Sequence, residues 1–205
     1  MMKDVVALGE LLIDFAPVST DDAGYPTLKA QPGGATAKEQ MEWGLHQADI
    51  VKISDEEIEF LWGLSPEEGA QKLLKEYGVK LVYATLGPKG SHFANRNGCG
   101  EVASPTGLHV IDTTGAGDIF GGSAMSQFLR LGKAPEELTV EEMGAITRFA
   151  CCAASLSTQT HGGINSVVPE ADVRPSCNEI PLFLPAPARL LAGAFCCPFP
   201  VSAAP

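Results

Sequence analysis

Strand-like and helix-like segments alternate along most of this chain, and this alternation limits the folds that are open to it. Apolar runs typical of buried strands occur at 5–13, 49–53 and 81–86. Helix-start signals, each a Ser or Thr with Glu three residues later, occur at Ser54, Ser65 and Thr139. The alternation predicts an α/β fold with a mostly parallel central sheet.

Shorter segments complete this prediction. Edge or short strands are expected at 25–31, 92–94, 101–103 and 108–111, with a loop at 17–24, a tight turn at 32–35 and a weak helix at 38–46. Residues 1–173 form the predicted domain. Seven of the fifteen prolines fall in 175–205 without any period, so residues 174–205 are expected to be a disordered Pro/Ala/Cys-rich tail.

The net charge and the lengths of the apolar runs limit the partners and the location that are expected. A net charge of −11 without a cluster of Lys or Arg argues against nucleic acid or anionic membrane as a partner. No apolar run is long enough to span a bilayer and no signal peptide is apparent, so a cytoplasmic location is expected. The six cysteines lack zinc-site spacing and are expected to be reduced. The four histidines, at 46, 92, 109 and 161, are expected to be exposed or hydrogen-bonded rather than metal ligands.

The stretch 112–122, DTTGAGDIFGG, is the candidate for the chemistry. Its glycines allow backbone N–H groups to approach a ligand, and the helix that follows directs its positive end at the same point. Asp118 could instead be an ordinary acidic residue in the first turn of a helix. A Walker P-loop is absent, and the late G-x-G-x-x-x-G spacing makes a dinucleotide oxidoreductase a poor match. Phosphoryl transfer fits better, since such a reaction needs an anion hole and a nearby carboxylate base.

The same stretch closely resembles the C-terminal signature of the ribokinase/fructokinase (PfkB-type) carbohydrate kinases. Residues 5–15 resemble the first strand of the fructokinase branch, and 48–61 and 85–91 match in order and placement, so the resemblance covers most of 4–173. It implies a Rossmann-like, three-layer ribokinase-type core and ATP-dependent phosphorylation of a sugar hydroxyl, with fructose as the leading substrate. It also implies ATP and Mg²⁺, and in many members a monovalent cation such as K⁺.

The resemblance assigns roles to individual residues. Asp118 matches the catalytic base, and Gly115, Ala116 and Gly117 match the anion hole. The remaining matches are Asp14, Gly33 and Gly34 for the sugar, Thr85, Gly87, Gly90 and Cys151 for the nucleotide side, Glu57 for Mg²⁺ through water, and Asp112 and Thr114 for the monovalent cation. Glu57 also occupies the third helical position of a capping box, so a purely structural role is equally open.

The chain departs from the family pattern near 37/38. The Gly-Gly-Ala-x-Ala motif at 33–37 is followed by Lys38 instead of Asn, and the next residues already resemble the segment before the 49–53 strand. A central block with inner strands and most of the sugar lid is therefore expected to be missing. This leaves two functional hypotheses, an active fructokinase-like enzyme and a non-catalytic remnant that at most binds nucleotide, and it leaves the oligomeric state open.

Overall fold

The computed structural model describes residues 14–20, 26–31, 34–177 and 182–183. The strands are β1 (Asp14–Thr20), β2 (Pro26–Gln31), β3 (Ile50–Ser54), β4 (Leu81–Thr85), β5 (Gly90–Asn95), β6 (Gly98–Ala103) and β7 (Leu182–Phe183). The helices are α1 (Gly34–Leu45), α2 (Asp55–Trp62), α3 (Pro66–Glu76), α4 (Ala116–Leu131), α5 (Val140–Ser157) and α6 (Glu170–Cys177).

The three predicted capping boxes are present, and they explain where three helices begin. Ser54, Ser65 and Thr139 each accept the N–H of the Glu three residues later, and each Glu side chain accepts the N–H of its cap residue. This pairing satisfies donors that a helix start otherwise leaves open, so the start is encoded locally.

A five-stranded sheet, in the order β3-β4-β5-β6-β7, forms the centre of the described fold. Apolar residues cover both of its faces. On one face Leu81, Tyr83 and Phe93 pack against α4, α5 and α6, while on the other Val51, Ile53 and Val82 pack among residues of α1, α2 and α3. The predicted three-layer α/β architecture is therefore confirmed.

The strand directions correct one detail of the prediction. Only β3 and β4 run parallel, whereas β4–β5, β5–β6 and β6–β7 are antiparallel, so the described sheet is mixed rather than mostly parallel. The reason is the connections: β3 and β4 are linked through α2 and α3, but short turns join β4 to β5 and β5 to β6, and short turns produce antiparallel pairs.

Several local predictions also change. Asp14 lies inside β1 rather than beyond a strand, and β1 continues through 17–20, where a loop was expected, because it pairs with β2 in a separate two-stranded sheet. Residues 108–111 form no strand, since their neighbouring contacts run to the end of α5, where Thr158 accepts the N–H of Ile111. The predicted strand at 5–13 lies outside the described residues.

The expected deletion point at 37/38 falls inside α1, and the domain end predicted at 173/174 falls inside α6. Arg174 is held in α6 through an ion pair with Glu170, which explains why the helix continues past that point. Of the predicted tail, 178–181 and 184–205 lie outside the described residues.

Four of the six cysteines lie in the described part of the chain. Cys151, Cys152 and Cys177 are free thiols, whereas Cys99 is disulfide-bonded, which corrects the expectation of six reduced cysteines. In the described part of the chain, no helix combines the length and the apolar character that crossing a lipid bilayer requires.

Candidate active site

The Asp112–Gly122 stretch forms the turn that opens α4. Gly115 is the N-cap residue, and its φ of +79° is one that only glycine adopts without strain. A Cβ on Gly115 would also lie 2.8 Å from Gly163 Cα, so the turn packs directly against the backbone at 162–163. The N–H groups that follow lie at the positive end of a sixteen-residue helix, which is an anion-binding arrangement. The Ala116 N–H, however, donates to the Thr113 carbonyl at 3.1 Å in this structure.

Asp118 lies in the first turn of α4 and is exposed. Its carboxylate is therefore within the same turn as the N–H groups of 115–117. A carboxylate beside an anion-binding turn can accept a proton from a hydroxyl that attacks a bound phosphoryl group. The sequence predicted that these residues lie together in one turn; their roles as base and anion hole stay predictions.

Asp112 ties two loops together rather than pointing freely into solvent. Its Oδ1 accepts the Thr114 N–H and its Oδ2 accepts the Gly162 N–H, both at 2.9 Å. These hydrogen bonds hold the pKa of the Asp112 carboxyl far below its ordinary value, and the bond from Gly162 has the largest effect. The anionic carboxylate thus fixes the 112–115 turn against 162–163, and a carboxylate with remaining lone pairs is compatible with a monovalent cation nearby.

Lys52, which the sequence pattern does not single out, also reaches this turn. It lies on β3, and its Nζ would be 3.1 Å from a Cβ on Gly117, so the ammonium group reaches the anion-binding turn. Within the part of the chain whose side chains are described, no carboxylate forms an ion pair with it. One signal was present in the sequence: a lysine between the buried Val51 and Ile53 must face the opposite side of the strand, toward α4.

The carboxyl ends of β3 and β4 meet at this edge of the sheet. Ser54 and Thr85 are directly paired in the parallel register, and the Thr85 hydroxyl donates to the Ile53 carbonyl at 3.4 Å. Glu57 follows Ser54 in α2 and is buried, with Oε2 accepting the Ser54 N–H at 2.7 Å. Its capping role is therefore present, and the second oxygen remains for a contact through water.

Gly87 and Gly90 bound a short 3-10 turn after β4. The requirement for glycine at Gly90 is structural: its φ is +122°, and a Cβ there would lie 1.9 Å from the Val102 carbonyl oxygen. The Leu86 N–H donates to the Gly90 carbonyl at 2.8 Å and closes the turn. The predicted nucleotide-side loop is thus a rigid turn at the same sheet edge as Thr85.

A cavity of about 500 Å³ opens beside the α4 turn. Gly115, Asp118 and Gly163 line one part of it, and Phe149 and Ala153 of α5 line another. Its size is that of a small-molecule site, and it brings apolar walls next to the anion-binding turn.

Other predicted residues are not brought to this cavity. Cys151 is 3% exposed within the core and does not line it, because it lies on the face of α5 that packs against the sheet. Burial raises the pKa of its thiol to about 12. Asp14 lies in β1 and Gly34 begins α1. Gly33 lies outside the described residues.

Comparisons with known proteins agree with this geometry. The model of the pfkB family of carbohydrate kinases matches residues 26–171. Fructokinase-2 of Solanum lycopersicum is 33% identical over 141 residues, which are 65% of this chain and 40% of that protein. Fructokinase-1 of Zea mays is 37% identical over 129 residues, covering 62% of this chain and 39% of that protein.

Solved structures give the same result for the fold. A fructokinase from Vibrio cholerae O395, bound to fructose, ADP and a potassium ion, superposes with a TM-score of 0.60 at 28% identity, over 68% of this chain and 44% of that one. A fructokinase from Xylella fastidiosa with bound ATP gives a TM-score of 0.62 at 23% identity, over 78% and 49% of the two chains. The chain thus spans about 40% of the length of these curated relatives and less than half of the solved ones.

Proposed function

Because the chain belongs to the pfkB family of carbohydrate kinases, we propose that it transfers a phosphoryl group from ATP to a sugar hydroxyl, with fructose as the first substrate to test. The observation that carries the proposal is the α4 turn: an exposed Asp118 beside the Gly115-capped helix start, with the Lys52 ammonium next to Gly117. Fructokinases among the relatives support fructose as the acceptor.

In the proposed mechanism, Asp118 accepts the proton of the attacking sugar hydroxyl. The N–H groups of Gly115 and Gly117 and the Lys52 ammonium stabilise the charge on the transferred phosphoryl oxygens. The Ala116 N–H joins them only after it leaves the Thr113 carbonyl. Asp112 acts indirectly by holding the turn against 162–163. Phe149 and Ala153 provide the apolar side of the cavity, where a nucleotide base would bind.

Glu57 would hold Mg²⁺ through water with its second carboxylate oxygen, and Asp112 and Thr114 would lie beside a monovalent cation. When bound, Mg²⁺ supplies charge neutralisation on the ATP phosphates. A buried carboxylate at the edge of the sheet shared with Thr85 suits that role. Asp14, Gly33 and Gly34 remain proposed sugar contacts.

The experiment measures ADP release from Mg-ATP, with and without fructose, for the wild-type chain and for Asp118→Asn. Removing a catalytic base is expected to lower kcat by about 100-fold or more. Asp172→Asn is the matched control, since Asp172 is also an exposed acid in the first turn of a helix. Fructose-independent ADP release, or full activity of Asp118→Asn, contradicts the proposal.

Lys52→Met tests the role proposed for the Lys52 ammonium. Loss of an ammonium beside the transferred group is expected to lower kcat/KM for ATP by about 10- to 1000-fold, while Lys75→Met, an exposed lysine of α3, should leave it unchanged. A wild-type kcat/KM in Lys52→Met would remove Lys52 from the mechanism.

A second candidate function is nucleotide binding without catalysis. It is favoured by the coverage of about 40% of the curated relatives, because a lid over the sugar excludes water and completes such sites. ATP binding by calorimetry, combined with no fructose-stimulated turnover, is the result that this candidate predicts.

A further inference from the structure

A second polar cluster lies on the opposite face of the sheet from Lys52. His92 of β5 and Glu101 of β6 are directly paired across the strands, with Nδ1 of His92 3.7 Å from Oε1 of Glu101. Glu67, in the first turn of α3, completes the group. One ligand atom from each of the three residues lies within 4.8 Å of the other two.

His92 lacks the partners that a buried imidazole needs. The residue is 1% exposed, and neither ring nitrogen forms a hydrogen bond. Leaving buried polar atoms unpaired is costly, so a histidine in this position normally meets a hydrogen-bond partner or a cation. His92 is therefore buried rather than exposed, and its contact with Glu101 is long at 3.7 Å.

The two carboxylates of the cluster also need a group that balances their negative charge. Glu67 and Glu101 are half-buried and lie close together, and neighbouring carboxylates repel each other unless positive charge separates them. Among the described residues, no lysine or arginine forms an ion pair with either of them. The repulsion is relieved by a proton on His92, by a proton shared between the two carboxyl groups, or by a bound cation.

The chemistry of the donor set favours a metal ion. One imidazole nitrogen and two carboxylate oxygens are ligands that Zn²⁺ and similar divalent transition ions accept, whereas Mg²⁺ and Ca²⁺ prefer oxygen alone. Zinc binds such atoms at about 2.0–2.2 Å, so the ligand atoms must approach one another. The partly exposed glutamates, with Glu101 30% exposed, can make this movement while His92 stays fixed in the sheet.

From this geometry we propose that Glu67, His92 and Glu101 form a binding site for one Zn²⁺-class divalent ion. The bound ion joins the start of α3 to the β5–β6 hairpin and leaves at least one coordination position for water. The site lies on the opposite face of the sheet from Lys52 and the α4 turn.

Zinc binding to the full chain tests the proposal directly. The metal-free protein is titrated with Zn²⁺ against a chromogenic chelator, and one equivalent per chain is expected. Glu67→Gln and Glu101→Gln should each weaken binding by at least about 10-fold, because each removes an anionic ligand. Glu59→Gln, an exposed glutamate of α2, is the matched control and should bind as wild type.

Replacement of zinc by Co²⁺ distinguishes this site from the free thiols. The cobalt spectrum should show d–d bands without a thiolate charge-transfer band, and it should disappear in Glu67→Gln, which alters only a half-buried side chain and preserves the fold. Absence of zinc binding, or equal binding by wild type and both Gln variants, overturns the proposal and shows that protons on His92 or on the glutamates balance the cluster. Kinase activity takes no part in these readouts.

Discussion

Replacement of Gly115 by alanine tests whether the α4 turn depends on its close contact with 162–163. Two costs are expected. The left-handed backbone conformation at φ +79° costs an alanine about 1–2 kcal/mol. The new Cβ also lies 2.8 Å from Gly163 Cα, and relief of an overpacked contact typically costs about 1–3 kcal/mol.

Gly107 provides a control that separates these costs. Its φ of +78° is nearly the same, but nothing lies within 4 Å of a Cβ at that position. Gly107→Ala should therefore lose only the backbone cost, about 1–2 kcal/mol. The gain from a less flexible unfolded chain is common to both variants and cancels in the comparison.

Urea unfolding followed by circular dichroism measures both free energies of unfolding. Gly115→Ala should lose about 1–3 kcal/mol more than Gly107→Ala, with a lower melting temperature by about 2–4 °C for each kcal/mol. Equal losses in the two variants would refute the reasoning, because they would mean that 162–163 moves away without cost. In that case the turn would not be held rigid, and the proposed preorganised anion hole would lose its support.

Two further predictions concern titratable groups. Hydrogen bonds from Arg130, and then from Arg174, lower the pKa of Glu170 from 4.5 to about 2. A carboxyl whose pKa is lowered in the folded state stabilises the fold above pH 4.5, and this stabilisation is lost as the pH falls toward 2. The urea midpoint of the wild type should therefore drop between pH 4.5 and pH 2 more steeply than that of Glu170→Gln. Parallel curves for the two proteins would show that the ion pairs add nothing. Burial raises the pKa of the Cys151 thiol to about 12. Alkylation of the native chain at neutral pH should therefore modify the half-buried Cys177 well before Cys151, which peptide mass mapping measures. Early modification of Cys151 would contradict its place in the core.

Local signals in the sequence predicted local structure well. The capping boxes at Ser54, Ser65 and Thr139 were correct because the interacting groups are three residues apart, and the α4 turn was correct because Gly115 and Asp118 belong to one short segment. In each case the chain needs no distant partner to specify the conformation.

Features that depend on distant parts of the chain were missed. Lys52 reaches Gly117 only because β3 lies beneath α4, and Glu67, His92 and Glu101 meet only through the packing of α3 on the β5–β6 hairpin. The 108–111 segment had the composition of a strand, but its N–H groups bond to the end of α5.

The position of β3 in the sheet affects its amide hydrogens. Within the described ranges β3 has a neighbour on one side only, β4, so alternate N–H groups of Ile50–Ser54 point away from any described strand. Amides that bond to β4 should exchange slowly with deuterium, and the alternate amides should exchange fast. The Ser54 N–H is the exception, because it donates to Glu57 Oε2. Since Lys52 lies on this strand, the two exchange rates measure how firmly the wall of the proposed phosphoryl site is held.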